Sequence, residues 1–442
     1  MKINISLLLL LFIPYVTAAQ KTWTLEECIQ KAIRENLQLE QKNLDRKIMK
    51  AELRQSALDF LPSLNGFLDA DKSFGRSIDP STNGIVSTRL FQSAASLGSS
   101  LVLFQGFVNL NRLQYNRVNA LKSALEGETL KNDIAFRVMN AYFDLCFARG
   151  QLSIARDQCS LSRMNLKKIR IMVDAGIRAS TDIAEMEARL ALDDFRLTQA
   201  GNTLAKSSLA LRQMMNIHER DSFAIEYKIG SGVFEPFASP DPDSLYNLAS
   251  AHLPQFREMA MDAKLSELNY AISKGGASPS LKTQAGYGTG FYDSYMDAFG
   301  KMIPFRDQVR NNAYQYVGLS MSIPLFNGGM TGKNIRTAKW NREKTTLENE
   351  IKKREFCAEI ENACLAVKSA ADEYHSAQLQ EAASSLNQQL LEKKWEQGTA
   401  NLLELSDARN RLASARAEML RTLLQYELKR QTIRLYTGAV NY

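Results

Sequence analysis

The sequence predicts a mainly α-helical chain with a small β portion, built as a tandem repeat of helix, two strands and a long helical hairpin. Three observations predict it. All ten prolines lie between Pro14 and Pro324, with none between Ser81 and Glu235 and none after Pro324, so two long stretches lack the main helix breaker. Within the first, apolar or small residues recur at steps of four and three through Ile134, Val138, Ala141, Leu145, Ala148, Leu152, Ala155 and Cys159, then Leu166, Ile169 and Val173; this is a heptad seam. Short marks also recur at a nearly constant distance. Leu103-Phe104-Gln105-Gly106 returns as Leu325-Phe326-Asn327-Gly328, 222 residues on, Ala175-Gly176 returns as Gln397-Gly398 at the same distance, and Pro62-Ser63-Leu64 returns as Pro279-Ser280-Leu281 at 217.

Composition narrows the class. At 45% hydrophobic and 23% charged residues, the 442-residue chain is too apolar for disorder and too polar for a helical membrane protein. Lysine and arginine number 55 against 48 aspartates and glutamates, a formal charge of +7 without a basic run, which gives no indication of nucleic-acid binding. Lys2, the apolar run from Ile5 to Ile13 and the small Ala18 and Ala19 form a secretory signal over residues 1–19, with cleavage after Ala18 or Ala19. A retained anchor is the alternative, but the run is short for a span. The five cysteines suit neither a disulfide framework nor a metal site, and Cys159 occupies a seam position, as a small buried hydrophobe would.

The elements follow in order. Residues 24–60 are periodic, and Thr24 with Glu27 makes a capping box at their start. Residues 108–173 form one helix of about 99 Å at about 1.5 Å per residue. Its seam has a single polar interruption at Ser162. The return helix carries Ile183, Met186, Leu190, Leu197, Ala200, Leu204, Leu211 and Met214, broken by Asp193 and Ser207. In the second copy the seam maps onto Phe356, Ile360, Ala363, Val367, Ala370, Tyr374 and Ala377, and the return onto Leu405, Ala408, Leu412, Ala415 and Met419. The repeats therefore span residues 20–217 and 243–442, joined by a linker at 218–242.

Between the helices the period changes to two. Leu281, Thr283, Ala285, Tyr287, Thr289 and Phe291 alternate with small or polar neighbours, as do Val317, Leu319, Met321, Ile323 and Leu325, and Leu97, Leu101 and Leu103. A weaker fourth strand covers 64–70, and residues 76–96 and 293–312 read as loops at strand tips. Strands of about ten residues with one apolar face match a transmembrane β-barrel. Four strands cannot close one, and an open edge in lipid leaves backbone groups unpaired. Three copies would give twelve strands, enough for an open lumen, above twelve helical staves.

With its repeat, its Pro-Ser-Leu strand starts, its Leu-Phe-(Gln/Asn)-Gly strand exits and its glycine tips, the chain resembles the TolC-like outer-membrane efflux family over essentially its mature length. The resemblance implies a homotrimer with a 12-stranded β-barrel in the outer membrane of a Gram-negative bacterium and a periplasmic α-helical barrel. It also implies that the tip docks an adaptor (membrane fusion) protein attached to an inner-membrane pump, for efflux or type I secretion. It places docking at the hairpin tips Ala175, Gly176, Ile177, Gln397, Gly398 and Thr399, and a periplasmic gate at Trp395, Glu404, Asp407, Thr181 and Asp182. Ala400 departs from the family, which can carry a basic residue there; Arg178 stands at the equivalent place in the first repeat.

Catalytic, cofactor and metal chemistry has little to stand on. His218, His252 and His375 are scattered, and Gly286, Gly288 and Gly290 alternate within a strand with no helix N-terminus following, so no phosphate loop forms. Two other readings are an exported coiled-coil scaffold and an outer-membrane pore that works without an adaptor.

Overall fold

The structure, a computed structural model, describes residues 22–78, 83–217, 223–226 and 240–438. The signal segment and most of the 218–242 linker, with His218, lie outside the described residues. The chain forms β1 (Thr22–Trp23), α1 (Leu25–Arg34), α2 (Leu37–Leu58), β2 (Ser63–Ile78), β3 (Ile85–Gln105), α3 (Val108–Asp174), α4 (Ser180–Met214), β4 (Ala224–Ile225), α5 (Pro242–His252), α6 (Pro254–Gly275), β5 (Ser280–Tyr292), α7 (Phe305–Asn311), β6 (Tyr314–Ser322), α8 (Met330–Glu396) and α9 (Leu402–Tyr436). They fall into two compact units, each drawing on both halves of the chain. One comprises Met1–Glu40, Glu128–Leu253 and Phe356–Tyr442, the other Gln41–Gly127 and Pro254–Glu355.

The second unit carries an antiparallel sheet in the order β2-β3-β5-β6. Its residues segregate by face. Leu64, Leu68, Leu97, Leu281, Ala285, Val317, Leu319 and Met321 share one face through the pairs Leu68↔Ala95, Leu281↔Met321 and Ala285↔Val317. Leu68 is 86% and Val317 84% exposed, so around them this apolar face has no partner among the described residues. The other face has mainly small and polar residues, with Phe67, Leu90 and the two tyrosines of β6 among its large members. There Gly286 and Gly288 lie beneath the rings of Tyr316 and Tyr314, where an added Cβ would meet ring carbons at 2.5 and 2.7 Å. Close cross-strand approach is thus what these glycines provide.

The strands run further than the alternation indicates. Residues 76–78 and 85–96 are strand rather than loop: β2 and β3 pair from Ser63↔Ser100 to Ile78↔Ile85, making a long ribbon. The period-2 signal fails in Ser93-Ala94-Ala95-Ser96 because small residues occupy both faces. In β6 the strand ends at Ser322 rather than Leu325, since Pro324 has no N–H to contribute to a ladder. Above the last β5–β6 pair, Gly288↔Tyr314, the edge of β5 is closed by side chains. Gln308 of α7, buried, accepts from the Tyr292 N–H at 3.0 Å and donates to the Tyr292 carbonyl at 2.9 Å, and Asn312 donates to the Gly290 carbonyl at 2.8 Å.

In the first unit the periodic segment 24–60 starts at the expected capping box, Thr24 with Glu27 at 3.0 and 3.2 Å. It is two helices rather than one, because Asn36 starts a new one by accepting from the Leu39 N–H at 3.1 Å. Cys28, Ile29 and Ala32 of α1 join the α3 seam residues Ile134, Val138 and Leu145, together with Leu211, Met215, Leu420 and Leu424, in one core. Each such large side chain contributes about 1.5–3 kcal/mol on burial. Met215 rather than Met214 completes the α4 stripe. Tyr142 and Arg149 of α3 donate to the carbonyls of Glu226 and Ile225 at 2.7 and 3.1 Å, which ties β4 to the core.

Both long helices end in the same turn. After α3 the Gly176 and Ile177 N–H groups return to the carbonyls of Val173 and Met172. After α8 those of Gly398 and Thr399 return to Trp395 and Lys394. These are Schellman motifs, and they require the left-handed φ of +73° at Gly176 and +76° at Gly398. Gly398→Ala is expected to cost about 1 kcal/mol of stability. Gly127→Ala, inside α3 with open space around its Cα, is expected to add about as much. Guanidinium unfolding followed by helical circular dichroism measures both, and equal signs would contradict this account.

Candidate functional site at the hairpin tips

The α3–α4 and α8–α9 hairpins converge on one apolar cluster just above their turns. Trp395, in the last turn of α8, is 3% exposed and shares that cluster with Leu166 and Ile169 of α3, Met186 of α4, and Ala400, Leu402 and Leu405. Lys168 Nζ lies 4.7 Å from the indole centroid and the Arg178 guanidinium 5.9 Å, while Lys168 also pairs with Glu396 at 3.4 Å. The indole therefore joins one hairpin to the other through both burial and its π face. Ala400 is buried in the same cluster, so a basic side chain at that position would have to displace core packing.

The other residues expected at the tip are arranged differently. Ala175, Gly176, Ile177, Gln397, Gly398 and Thr399 are all exposed, and Ile177 leaves 69% of its surface to solvent at the apex. Thr181 and Asp182 occupy the first turn of α4, where a carboxylate is favoured by the helix dipole, and neither side chain has a hydrogen bond or ion pair among the described residues. Within the chain it is Trp395 that packs against both hairpins. Glu404 and Asp407 are exposed on α9, and each has a partner on its own helix. Asn401 accepts from the Glu404 N–H at 2.7 Å, and the Glu404 carboxylate accepts from the Asn401 N–H at 3.2 Å, closing a second capping box. Asp407 pairs with Arg411 at 2.8 Å.

A polar cluster farther from the turns escaped the sequence reading. Asp193, 1% exposed, accepts from Ser162 at 2.7 Å and from Arg189 Nε at 3.2 Å, with Arg196 at 3.8 Å from its second oxygen. Arg189 also donates to Asn410 of α9. Ser162 is the polar break in the α3 seam and Asp193 one of the two in the α4 seam, so these two interruptions are each other's partner. Nearby, buried Arg409 pairs with Glu392 at 2.7 Å, and burial pulls its guanidinium below the usual range while Glu392 works against this. On the solvent side, exposed Asp194 accepts from the Cys159 thiol and from Arg163, which together hold its carboxyl below the usual range.

Neighbouring aspartates should thus differ in what their removal costs. Asp193→Ala strands a nearly buried arginine and is expected to cost about 3 kcal/mol. Asp194→Ala removes an exposed pair and should cost under about 1 kcal/mol. Equilibrium unfolding of the two variants tests the contrast.

Comparison with known proteins now adds to this geometry. The family described as Outer membrane efflux protein matches residues 28–216 and 245–439. The chain is 21% identical to Outer membrane protein TolC of Escherichia coli (strain K12), the alignment covering 94% of this chain and 82% of that protein. It is 22% identical to the Alkaline protease secretion protein AprF of Pseudomonas aeruginosa, covering 79% and 70%. It is also 22% identical to the Cation efflux system protein CusC of Escherichia coli (strain K12), covering 93% and 85%. The Campylobacter jejuni CmeC outer membrane channel shares the fold with a TM-score of 0.82 at 14% identity, over 94% of this chain and 85% of that one. With the family match spanning most of its length, the chain belongs to the outer membrane efflux protein family and is a protein of the Gram-negative outer membrane that extends into the periplasm.

Proposed function

We propose that three copies of this chain form one channel, the outer-membrane exit duct of a tripartite machine. Its hairpin tips, Ala175-Gly176-Ile177 and Gln397-Gly398-Thr399, would meet a periplasmic adaptor protein and, through it, an inner-membrane pump. The observation that carries this reading is the four-stranded sheet with an apolar face and unpaired outer edges on β2 and β6. In lipid each unpaired backbone group costs several kcal/mol, so the edges require strands from other copies, and twelve strands leave an open lumen. A row of exposed apolar residues on α8, Trp340, Leu347, Leu365, Leu379 and Leu386, supports the same association.

The duct is built from two repeats, residues 20–217 and 243–442, joined at 218–242. The two separate family matches support this, as do the paired helix lengths: α3 and α8 have 67 residues each, α4 and α9 have 35 each. In the trimer Trp395 holds the hairpins of each copy together, with Thr181 and Asp182 free to meet a neighbouring copy. Glu404 and Asp407 line the throat as rings of carboxylate. The relatives are named for protease secretion and for cation efflux, and a passive duct of this kind leaves the choice of cargo to the pump.

The mass of the detergent-solubilised protein tests the assembly: three chains are expected, and a stable monomer would overturn it. In planar bilayers, Glu404→Gln with Asp407→Asn is expected to reduce cation preference and divalent-cation block with the trimer intact. Most of the change should come from Glu404, because Arg411 already offsets Asp407. Full cation selectivity in the double variant would place the charged ring elsewhere.

A further inference from the structure

We propose that the apolar face of the β2–β3 ribbon, with α7, is a binding site for a phosphorylated, acylated lipid of the outer leaflet. The proposal rests on the channel reading above, in which this face of the sheet meets lipid.

The first observation is charge segregation between two faces of one ribbon. Lys72, Phe74, Arg76 and Ile78 continue the face that carries Leu64 and Leu68, and Arg89 joins them through the pair Phe74↔Arg89. Asp69 and Asp71 fall on the opposite, polar face, paired with Ala94 and Gln92. The three cations are exposed, and none has a carboxylate partner among the described residues. Lys72 and Arg89 instead flank the Phe74 ring at 5.9 and 5.8 Å. A solubilising surface would intersperse the two signs; here all the bases lie on the side that is apolar lower down.

The second observation is position. β3 pairs with β5 as far as Gln92↔Tyr292, and seven β2–β3 pairs, Lys72↔Phe91 to Ile78↔Ile85, continue past that point, about 23 Å at about 3.3 Å per residue. This is the end of the strands away from α2, α3, α6 and α8, so the bases begin beyond Leu64 and Leu68 and alternate with Phe74 and Ile78. That is the level of lipid headgroups in the outer leaflet.

The third observation is a slot for the apolar part of the ligand. α7 is seated on the same face, with Thr289 Oγ1 donating to the Val309 carbonyl at 2.6 Å and the rings of Phe291 and Phe305 5.2 Å apart. Between α7 and the sheet lies a crevice of about 340 Å³ bounded by Leu68, Ala70, Ala95, Phe291, Phe305 and Val309. Arg306 and Arg310, four apart on α7 and exposed, likewise have no acidic partner among the described residues. Ala70 precedes Lys72 by one step along the face, and Phe305 adjoins Arg306. An acyl chain in the crevice would therefore hold its phosphate among cations, the pairing that guanidinium and ammonium groups recognise.

Native mass spectrometry of the detergent-solubilised protein tests this, titrated with an acylated bis-phosphorylated glucosamine disaccharide and with its dephosphorylated form. The wild type is expected to retain the phosphorylated lipid more tightly, and added salt to narrow the difference. Each cation near an anionic surface contributes about fivefold. Lys72→Gln with Arg76→Gln and Arg89→Gln should thus weaken the phosphorylated lipid by at least about tenfold and leave the dephosphorylated one unchanged. Ala95→Phe, which fills the crevice, should weaken both. Equal retention of the two lipids by the wild type, or unchanged retention by the triple variant, would overturn the proposal. The same spectra report the number of chains, so a monomer would count against the channel reading whatever the lipid result.

Discussion

The outer edges of β2 and β6 carry backbone N–H and C=O groups that pair with no strand among the described residues. In water such edges are a hazard; in a bilayer they are untenable, because nothing else there can hydrogen-bond. The remaining architecture is consistent with that one requirement. An apolar face that is more than four-fifths exposed at Leu68 and Val317 makes sense only if lipid covers it. A polar face that keeps Gly286 and Gly288 clear for tyrosine rings makes sense if it borders water. In the proposed trimer the exposed apolar residues of the long helix α8 belong to the same association as the strands.

Within the helical unit, apolar seams provide attraction without much direction, and a few polar contacts provide the register. Small alanines along the seam allow close approach but would tolerate sliding by a heptad. Asp193 can meet Ser162, and Arg189 can meet Asn410, in one alignment only, and the burial of Asp193 makes any other alignment costly. Trp395 plays the corresponding part nearer the turns. The cysteines add nothing reactive to this core. Burial pushes the Cys28 and Cys146 thiols up to about 12, so they remain protonated, and unreactive towards thiol oxidants, in a compartment where disulfides form readily.

How much of this could be read from the sequence depended on range. The heptad positions Ile134, Val138, Leu145 and Ile169 were legible because burial on one helix face leaves a period, and Thr24 with Glu27 because a capping box is local. Asn401 with Glu404 is the same local pattern, legible by the same rule. The upper half of β3 was hidden, since Ser93 to Ser96 are small on both faces and leave no alternation. Ser162 and Asp193 were visible as interruptions, yet their pairing is a tertiary fact that no spacing along one helix contains. The tip was legible as a turn from Gly176 and Gly398, whereas the roles of Lys168 and Arg178 depend on where the indole of Trp395 lies.

The amide of Gln308 has a wider consequence. By supplying both a donor and an acceptor to Tyr292, it imitates one residue of a neighbouring strand and finishes the border of β5 where β6 has stopped. An extended segment of any other polypeptide therefore finds no vacancy at that corner. Strand addition is thereby denied at Tyr292, while the outer edges of β2 and β6 keep open backbone groups among the described residues.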